Sequence, residues 1–160
     1  MQEKKKRIIV TGGFDPVHQG HISYFESAKA LGDTLIVGLN SDGWLCRKKG
    51  IPFMTFEERY AVIKALRCVD VVLEMDDRDN TAKDAIIQTK ILYPNDIIVF
   101  ANGGDRTAKN IPEMDIQGVE FVFGVGGDDK ANSSSDILRR YREYIINMAD
   151  RDSGPYLRYT

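Results

Sequence analysis

The sequence lacks three features that would each suggest a class of function: an excess of basic residues, a set of paired cysteines and a long apolar run. In 160 residues, 22 lysines and arginines stand against 24 aspartates and glutamates, and the formal net charge is -2. Wholesale nucleic-acid binding normally shows a basic excess, so we expect no nucleic-acid partner. Cys46 and Cys68 give no framework of disulfides, which is typical of a reduced, cytoplasmic setting. No stretch approaches the roughly 18 apolar residues of a membrane span, and we expect no membrane partner.

What the sequence does contain is five short apolar runs rich in valine, isoleucine and phenylalanine. They are mostly unalternated, as expected of parallel strands that are covered on both faces of a sheet. The predicted strands are IIV from Ile8, TLIVGL from Thr34, VDVVLE from Val69, DIIVFA from Asp96 and VEFVFGV from Val119. Helical segments separate most of them. The pattern predicts an α/β fold with a doubly wound, five-stranded, Rossmann-like parallel sheet, in a single domain over residues 1–160.

Four helices are predicted, and three of them begin at a hydroxyl residue that is followed three positions later by an acid. The first spans about His18 to Leu31. The others begin with Thr55 and Glu58, with Thr81 and Asp84, and with Ser133 and Asp136, and the last ends near Met148. In this spacing the hydroxyl oxygen accepts from a free backbone N–H group, and the acid is favourable at the positive end of the helix.

The simplest right-handed connection of these elements gives the strand order 3-2-1-4-5. The winding then reverses between the first and fourth strands, and ligands bind at such a point, outside the carboxyl ends of the strands. Three segments should therefore converge there: TGGFDPVHQGH after the first strand, ANGGDR after the fourth and DDKANSSSD after the fifth.

The segment VTGGFDPVHQGH holds both histidines of the chain. Gly12 and Gly13 allow a sharp turn and the close approach of a ligand. His18 and His21 share one face of the first helical turns, and Gly20 leaves space beside them. A helix N-terminus flanked by two imidazoles suits a polyphosphate. The alternatives are a metal site, which would need third and fourth ligands that no other histidine supplies, and an ordinary satisfied turn.

The string GGFDPVHQGH resembles the His-x-Gly-His signature of the cytidylyltransferase-like nucleotidyltransferases. The resemblance covers about Arg7 to Arg140, because GDTLIVGLNSD, RKKGIPFMTFEERYAVIKALRCVDVV and GGDR follow in the order and near the spacings of that family. Within the family, the sequence is most similar to the glycerol-3-phosphate cytidylyltransferases and to the sugar-phosphate adenylyltransferase domains of the heptose-phosphate type.

The resemblance implies transfer of CMP or AMP from CTP or ATP to a small phosphorylated alcohol or sugar phosphate, with release of pyrophosphate. His18 and His21 would donate to the triphosphate. Backbone N–H groups near Phe14 and Asp15 would hold the phosphates. Such chemistry depends on in-line positioning and on neutralising the charge of the phosphates.

Several cations match phosphate-binding residues of the family. Lys49, in RKKG, is similar to the lysine that reaches the reacting phosphates, with Arg47 and Lys48 as alternatives. Arg59 matches an arginine that grips phosphate. Arg67 lies where the cytidylyltransferases also have arginine, and on this residue we base a slight preference for CTP.

The later motifs of the family lie in the second half of the chain. Gly104 and Asp105, in ANGGDR, resemble the Gly-Gly-Asp element near the nucleoside, although Asn102 replaces a lysine that is common there. The run that opens the last helix would offer hydroxyl and N–H groups to the β- and γ-phosphates; it consists of Ser133, Ser134 and Ser135. The cytidylyltransferases carry an arginine shortly before this run, where Lys130 is the only cation here, and this departure opposes CTP and glycerol phosphate.

The resemblance also implies Mg²⁺, bound mainly through the triphosphate, with Asp15 as a candidate protein ligand. Small members of the family often form homodimers, and the C-terminal segment rich in tyrosine and arginine could pack on a partner subunit. The alternative function is a catalytically silent nucleotide-binding or sensor module of the same fold. The acceptor and the choice between CTP and ATP stay open.

Overall fold

A five-stranded parallel sheet forms the centre of the computed structural model, which describes residues 2–104, 106–127 and 133–152. The strands lie in the order β3-β2-β1-β4-β5, and every neighbouring pair is parallel. Their bounds are β1 Lys6–Gly12, β2 Thr34–Leu39, β3 Val71–Glu74, β4 Ile97–Ala101 and β5 Glu120–Val122. The predicted α/β, doubly wound, Rossmann-like fold and its strand order are confirmed.

Helices connect the strands and cover the sheet. Their bounds are α1 Gln19–Lys29, α2 Asp42–Lys49, α3 Phe56–Lys64, α4 Lys83–Leu92 and α5 Ser134–Asp152, and a 3-10 helix spans Pro112–Asp115. The helix α2 is not among the helices that the sequence predicts. Its signal is Ser41, whose Oγ accepts from the Trp44 N–H group at 3.0 Å and caps the helix.

The capping predictions have mixed outcomes. Thr55 and Glu58 form the predicted capping box at the start of α3, and Ser133 Oγ accepts from the Asp136 N–H group at the start of α5. The box predicted from Thr81 is wrong, because α4 begins only at Lys83 and Ala82 is its N-cap. Asp84 instead forms a tertiary hydrogen bond, in which its Oδ2 accepts from the backbone N–H group of Asp76. The last helix also continues beyond the predicted Met148, to Asp152.

Two apolar clusters lie on opposite faces of the sheet. Ile8 and Val10 of β1 belong to the cluster that includes Phe25 of α1, whereas Ile9 belongs to the cluster that includes Ile86 of α4. Successive side chains of a strand point to opposite faces, so a strand covered on both sides must be apolar throughout. All six residues of β2 are accordingly buried.

The winding reverses between β1 and β4, which are neighbours in the sheet. The loops that leave the carboxyl ends of these two strands diverge to opposite sides, and this leaves a crevice at that edge. Within the ranges that the structure describes, no helix is long and apolar enough to cross a membrane.

Candidate functional site

A cavity of about 560 Å³ occupies this crevice. It is lined by the segments that follow β1, β2, β3 and β4 and by the start of α5, so the predicted convergence of loops is present. Most of the predicted site residues line it: Gly12, Gly13, Phe14, Asp15, His18, Gly20, His21, Lys49, Gly104, Ser133, Ser134 and Ser135. Arg59 and Arg67 do not line it, and Asp105 and Lys130 lie outside the described residues.

The two histidines form the N-terminal cap of α1. His18 is the N-cap residue, and its Nδ1 accepts from the Gly20 N–H group at 3.0 Å. His21 closes the box, because its Nδ1 accepts from the His18 N–H group at 3.3 Å. Imidazoles thus do what a hydroxyl and a carboxylate usually do in a capping box. The N–H group of Gly20 is committed to this cap.

The cap assigns the tautomer of both rings. An Nδ1 that accepts a hydrogen bond carries no proton, so in the neutral ring the proton is on Nε2, at the far side of the imidazole. Burial, with a smaller effect of the positive charges of His18 and Lys48, lowers the pKa of His21 to about 4. Burial also lowers the pKa of His18. At neutral pH the site therefore presents two uncharged Nε2–H donors.

The ring of Phe14 packs against the pair of stacked histidine rings. The His18 and His21 rings stack with their centroids 3.8 Å apart, and the Phe14 ring meets His21 edge-on at 5.0 Å. The backbone of Phe14 adopts a positive φ of 48°, and its ring is buried. A Cβ at Gly12 would lie 2.9 Å from the Phe14 Cζ atom, so glycine is required there to let the ring pack against the end of β1.

Of the residues that the structure describes, three cations face the cavity beside the histidines: Lys48, Lys49 and Arg106. The ammonium of Lys48 lies over the Trp44 ring, 4.7 Å from its centroid. Burial, together with the positive charges of Arg106 and Lys49, lowers the pKa of Lys48. The chain as a whole is slightly acidic, but this corner of the cavity is positive and suits an anion.

The three candidates of the RKKG segment point to different places. Arg47 is turned away from the cavity, since its Nε donates to Asn80 Oδ1 and its Nη2 to the Asp77 carbonyl. Lys49 Nζ donates to the Asp15 carbonyl and pairs with the Asp15 carboxylate, each at 2.7 Å. In this arrangement Arg47 is therefore not placed to bind phosphate, whereas Lys48 and Lys49 line the cavity and can do so.

Asp15 is a structural anchor and does not fit the role of a magnesium ligand. Its two carboxylate oxygens accept from the backbone N–H groups of Phe53 and Met54, each at 2.7 Å, in addition to the pairing with Lys49. A carboxylate with these partners has little capacity left for a cation. Among the described residues, no group of three or more histidine, cysteine, aspartate or glutamate side chains is arranged to hold a metal.

Arg59 lies behind the cavity wall and is fully buried. Its Nη1 donates to the carbonyls of Gly13 and Asn40, at 2.9 and 2.8 Å, and its Nη2 pairs with Asp42 at 2.7 Å. These bonds tie the segment after β1 to the segment after β2. Direct contact with phosphate, as expected from the sequence, is not present in this arrangement, because the guanidinium faces backbone carbonyls and not the cavity.

Arg67 is exposed in the turn between α3 and β3. The Asp70 N–H group, a few residues further on, donates to the carbonyl of Leu35, which places this turn at the amino-terminal edge of the sheet. The cavity is at the opposite, carboxyl-terminal edge. Arg67 is therefore not placed at the cavity in this arrangement, so its expected contact with the nucleotide stays a prediction and gives no support for CTP over ATP.

The serine run lies against the first loop. Ser134 Oγ donates to the Pro16 carbonyl at 2.9 Å, and Ser133 Oγ donates to the Asp136 carboxylate at 2.8 Å. The start of α5 is thus joined to the loop that precedes α1. Two helix N-termini face one cavity, and both attract negative charge.

Several lining residues were not among the predicted site residues: Trp44, Met75, Asn80, Arg106 and Glu113. Arg106 is part of the quoted motif ANGGDR, and its position next to a predicted site residue was the available signal. Glu113 follows a proline in the 3-10 helix between β4 and β5, and no local pattern marks it.

A family model described as cytidylyltransferase-like matches residues 9–140. Curated relatives include proteins named bifunctional protein HldE. The one from Geobacter metallireducens is 36% identical over 146 residues, which cover 87% of this chain and 28% of the relative. The one from Photorhabdus laumondii is 37% identical over 138 residues, which cover 84% of this chain and 26% of the relative. The chain thus spans about a quarter of the length of these curated relatives.

A solved structure with the same fold is the lipopolysaccharide core biosynthesis protein from Thermoplasma volcanium GSS1. The two chains are 28% identical with a TM-score of 0.55, and the match covers 74% of this chain and 95% of the other.

Proposed function

The chain belongs to the cytidylyltransferase-like family of nucleotidyltransferases, and on that premise we propose that it transfers CMP or AMP from CTP or ATP to a small phosphorylated acceptor. The observation that carries the proposal is the cavity corner at the start of α1, where two neutral imidazole donors lie beside three cations. A triphosphate is the ligand whose charge and size match that corner.

In the proposed reaction, an oxygen of the acceptor phosphate attacks the α-phosphorus of the nucleotide. A new P–O bond forms, the bond from the α-phosphorus to the α,β-bridging oxygen breaks, and pyrophosphate leaves with the electron pair. No covalent enzyme intermediate is required. The tasks of the protein are to align attacking and leaving oxygens and to stabilise negative charge as it moves toward pyrophosphate.

Each group at the cavity corner has a place in this reaction. His18 and His21 donate their Nε2–H groups to phosphate oxygens without adding charge of their own. Lys48, Lys49 and Arg106 neutralise the triphosphate and the acceptor phosphate. Arg59 is a positioning residue, because it holds the carbonyls of Gly13 and Asn40 that form the floor beneath them.

Magnesium stays part of the proposal as an ion that arrives with the nucleotide. The side chains described here do not form a cage for it, and Asp15 is engaged elsewhere. Mg²⁺ is commonly held by substrate phosphates and water with few protein ligands.

A sugar phosphate is the acceptor class that the relatives support. The protein from Thermoplasma volcanium is named for the biosynthesis of the lipopolysaccharide core, and its match covers nearly all of its own length. With Arg67 at the far edge of the sheet, no described residue favours CTP over ATP, so both nucleotides belong in the test.

The proposal is tested by measuring pyrophosphate release from CTP or ATP with Mg²⁺ and a panel of phosphorylated alcohols and sugars. The informative variant is His18→Asn, because asparagine is a good N-cap and retains the cap of α1 while removing the ring Nε2–H group. Loss of one donor to the transition state should lower turnover by about 10²–10³-fold, with an unchanged melting temperature. Ser23→Ala, on the exposed side of the same helix, is the matched control and should be neutral.

Two outcomes would contradict the proposal. Stabilisation by a nucleotide in a thermal shift assay, without pyrophosphate from any acceptor, would favour the silent nucleotide-binding module. Wild-type turnover in His18→Asn would remove His18 from the chemistry even if the enzyme were active.

A further inference from the structure

The cavity has two walls of different chemistry. The wall on the α1 side of the sheet carries the phosphate-binding groups: His18, His21, Ser133 and Ser134, together with Tyr24. The wall on the α4 side is formed by Met75, Thr81, Ala82 and Glu113. We call these the α1 wall and the α4 wall. A reaction between two substrates needs space for both, and the α1 wall already accounts for the triphosphate.

Glu113 is an unusual member of the α4 wall, because it is only 2% exposed and one of its carboxylate oxygens has no partner among the described residues. Its Oε1 accepts from the Ala82 N–H group at 2.7 Å. Its Oε2 is buried and makes no hydrogen bond within the described part of the chain. Leaving a buried acceptor unsatisfied costs free energy. A ligand that donates to this oxygen therefore forms a hydrogen bond that is absent from the free protein, and this favours binding.

The charge of Glu113 restricts what that ligand group can be. A phosphate is excluded next to Oε2, because two anions would be brought together in a poorly solvated place. A cation is not required, since the ammonium of Lys83 already interacts with the charges of Asp115 and Glu113. The remaining class is a neutral donor, which in these two substrates is a hydroxyl or the amine of the nucleobase.

The nucleobase has a better place on the α1 wall. Gly103 and Gly126 lie against Tyr24, since a Cβ on either would come within 3.2 Å of that residue. Both glycines also line the cavity, so that part of the α1 wall is bordered by backbone without side chains. The base can therefore be bound on the same wall as its phosphates, which leaves the α4 wall for the acceptor.

We propose that Glu113 Oε2 accepts a hydrogen bond from a hydroxyl group of the acceptor, which makes Glu113 a specificity-determining residue for polyhydroxylated phosphates. The acceptor lies with its hydroxylated end at the α4 wall and its phosphate toward Lys49. This inference rests on the proposed function, because it assigns the second substrate of that reaction to the α4 wall.

The test compares Glu113→Gln with the wild type on the best acceptor phosphate and on its single-deoxy analogues. Glutamine keeps an oxygen for the Ala82 N–H group but replaces the free acceptor by an NH₂ donor, so the fold is retained while the hydrogen-bonding sense is reversed. In the wild type, one deoxy analogue should lose about 10–100-fold in kcat/KM, mostly through KM. With Glu113→Gln, the kcat/KM for the parent acceptor should fall by a similar factor. The parent acceptor and the deoxy analogue should then have nearly the same kcat/KM.

Asp115→Asn is the matched control, because it changes an exposed carboxylate in the same 3-10 helix. It should leave the acceptor preference unchanged, and both variants should keep the wild-type KM for nucleotide and the nucleotide-induced rise in melting temperature.

Three results would overturn the inference. An increase in nucleotide KM alone in Glu113→Gln would assign the residue to the nucleotide, and an unaltered acceptor ratio would leave it a purely structural role. If the wild type released no pyrophosphate with any acceptor, the proposed function would fail and the inference with it; an active wild type with an unaltered ratio overturns only the inference.

Discussion

At the scale of single residues, Arg59 shows how burial changes the role that a motif suggests. The guanidinium donates to three carbonyls, those of Gly13, Asn40 and Met54, and to the carboxylate of Asp42. Its removal would leave the carbonyls beneath the cavity without this donor, which is more costly than the loss of an exposed ion pair.

We therefore predict that Arg59→Met lowers the free energy of unfolding by about 3–5 kcal/mol in urea denaturation, because three carbonyls lose their donor. Arg59→Lys should recover only part of this loss, because one ammonium cannot reproduce the fork of a guanidinium. Arg67→Ala, on the exposed turn before β3, is the control and should change neither stability nor nucleotide binding. If Arg59→Met stayed stable but no longer bound nucleotide, the result would support the direct contact between Arg59 and phosphate that the sequence predicts.

Many residues of GGFDPVHQGH line the cavity, because one turn and the helix that follows it position them together, and their predicted roles in nucleotide binding stay predictions. The motif could not show that the histidines would cap that helix through Nδ1. Nor could it show that Glu113 lines the cavity, where its Oε1 accepts a hydrogen bond from the Ala82 N–H group, far away in the sequence.

At the scale of elements, the start of α1 couples the charge of His21 to folding. The pKa of His21 is about 4 in the folded protein and 6.5 for an ordinary histidine. Between these values the unfolded chain binds more protons than the native state, so stability increases with pH across that interval. The contribution is complete above about pH 6.5 and is lost as the pH falls toward 4.

His21→Gln isolates this effect, because glutamine is the usual partner at this position of a capping box and does not titrate. We predict that the variant keeps the wild-type stability at pH 7 within about 1 kcal/mol and loses less stability than the wild type on acidification. Urea midpoints at pH 7.0, 5.5 and 4.5 would measure the two slopes. Parallel slopes would mean that the pKa of His21 is the same in the folded and the unfolded protein, which would contradict its lowering by burial.

At the scale of the whole molecule, α5 carries an apolar stripe that the fold leaves exposed: Tyr141, Tyr144, Ile145 and Met148. These positions follow the i, i+3, i+4, i+7 spacing of one helix face, and exposed stripes of this kind commonly mark an interface. The homodimer expected from the sequence stays a prediction, and this stripe is the surface through which we expect it to form.

Sedimentation of the wild type should therefore give the mass of two chains, and Ile145→Glu should shift it toward one. Asn147→Glu places the same charge on α5 outside the stripe and should leave the dimer intact. A monomeric wild type, or a dimer insensitive to Ile145→Glu, would exclude the stripe as the interface.

The sequence by itself determined the strand order, the caps at Thr55 and Ser133, and the grouping of both histidines at the first helix, because each depends on apolar periodicity or on neighbours within about one helical turn. Only the tertiary structure decided that Arg59 is buried and that Arg67 lies at the edge of the sheet opposite the cavity. It also decided that Asp84 accepts from the Asp76 N–H group, and that Glu113 lines the cavity. The physical reason is that burial and hydrogen-bond partners are set by segments far apart in the chain, and these meet only when the sheet is assembled.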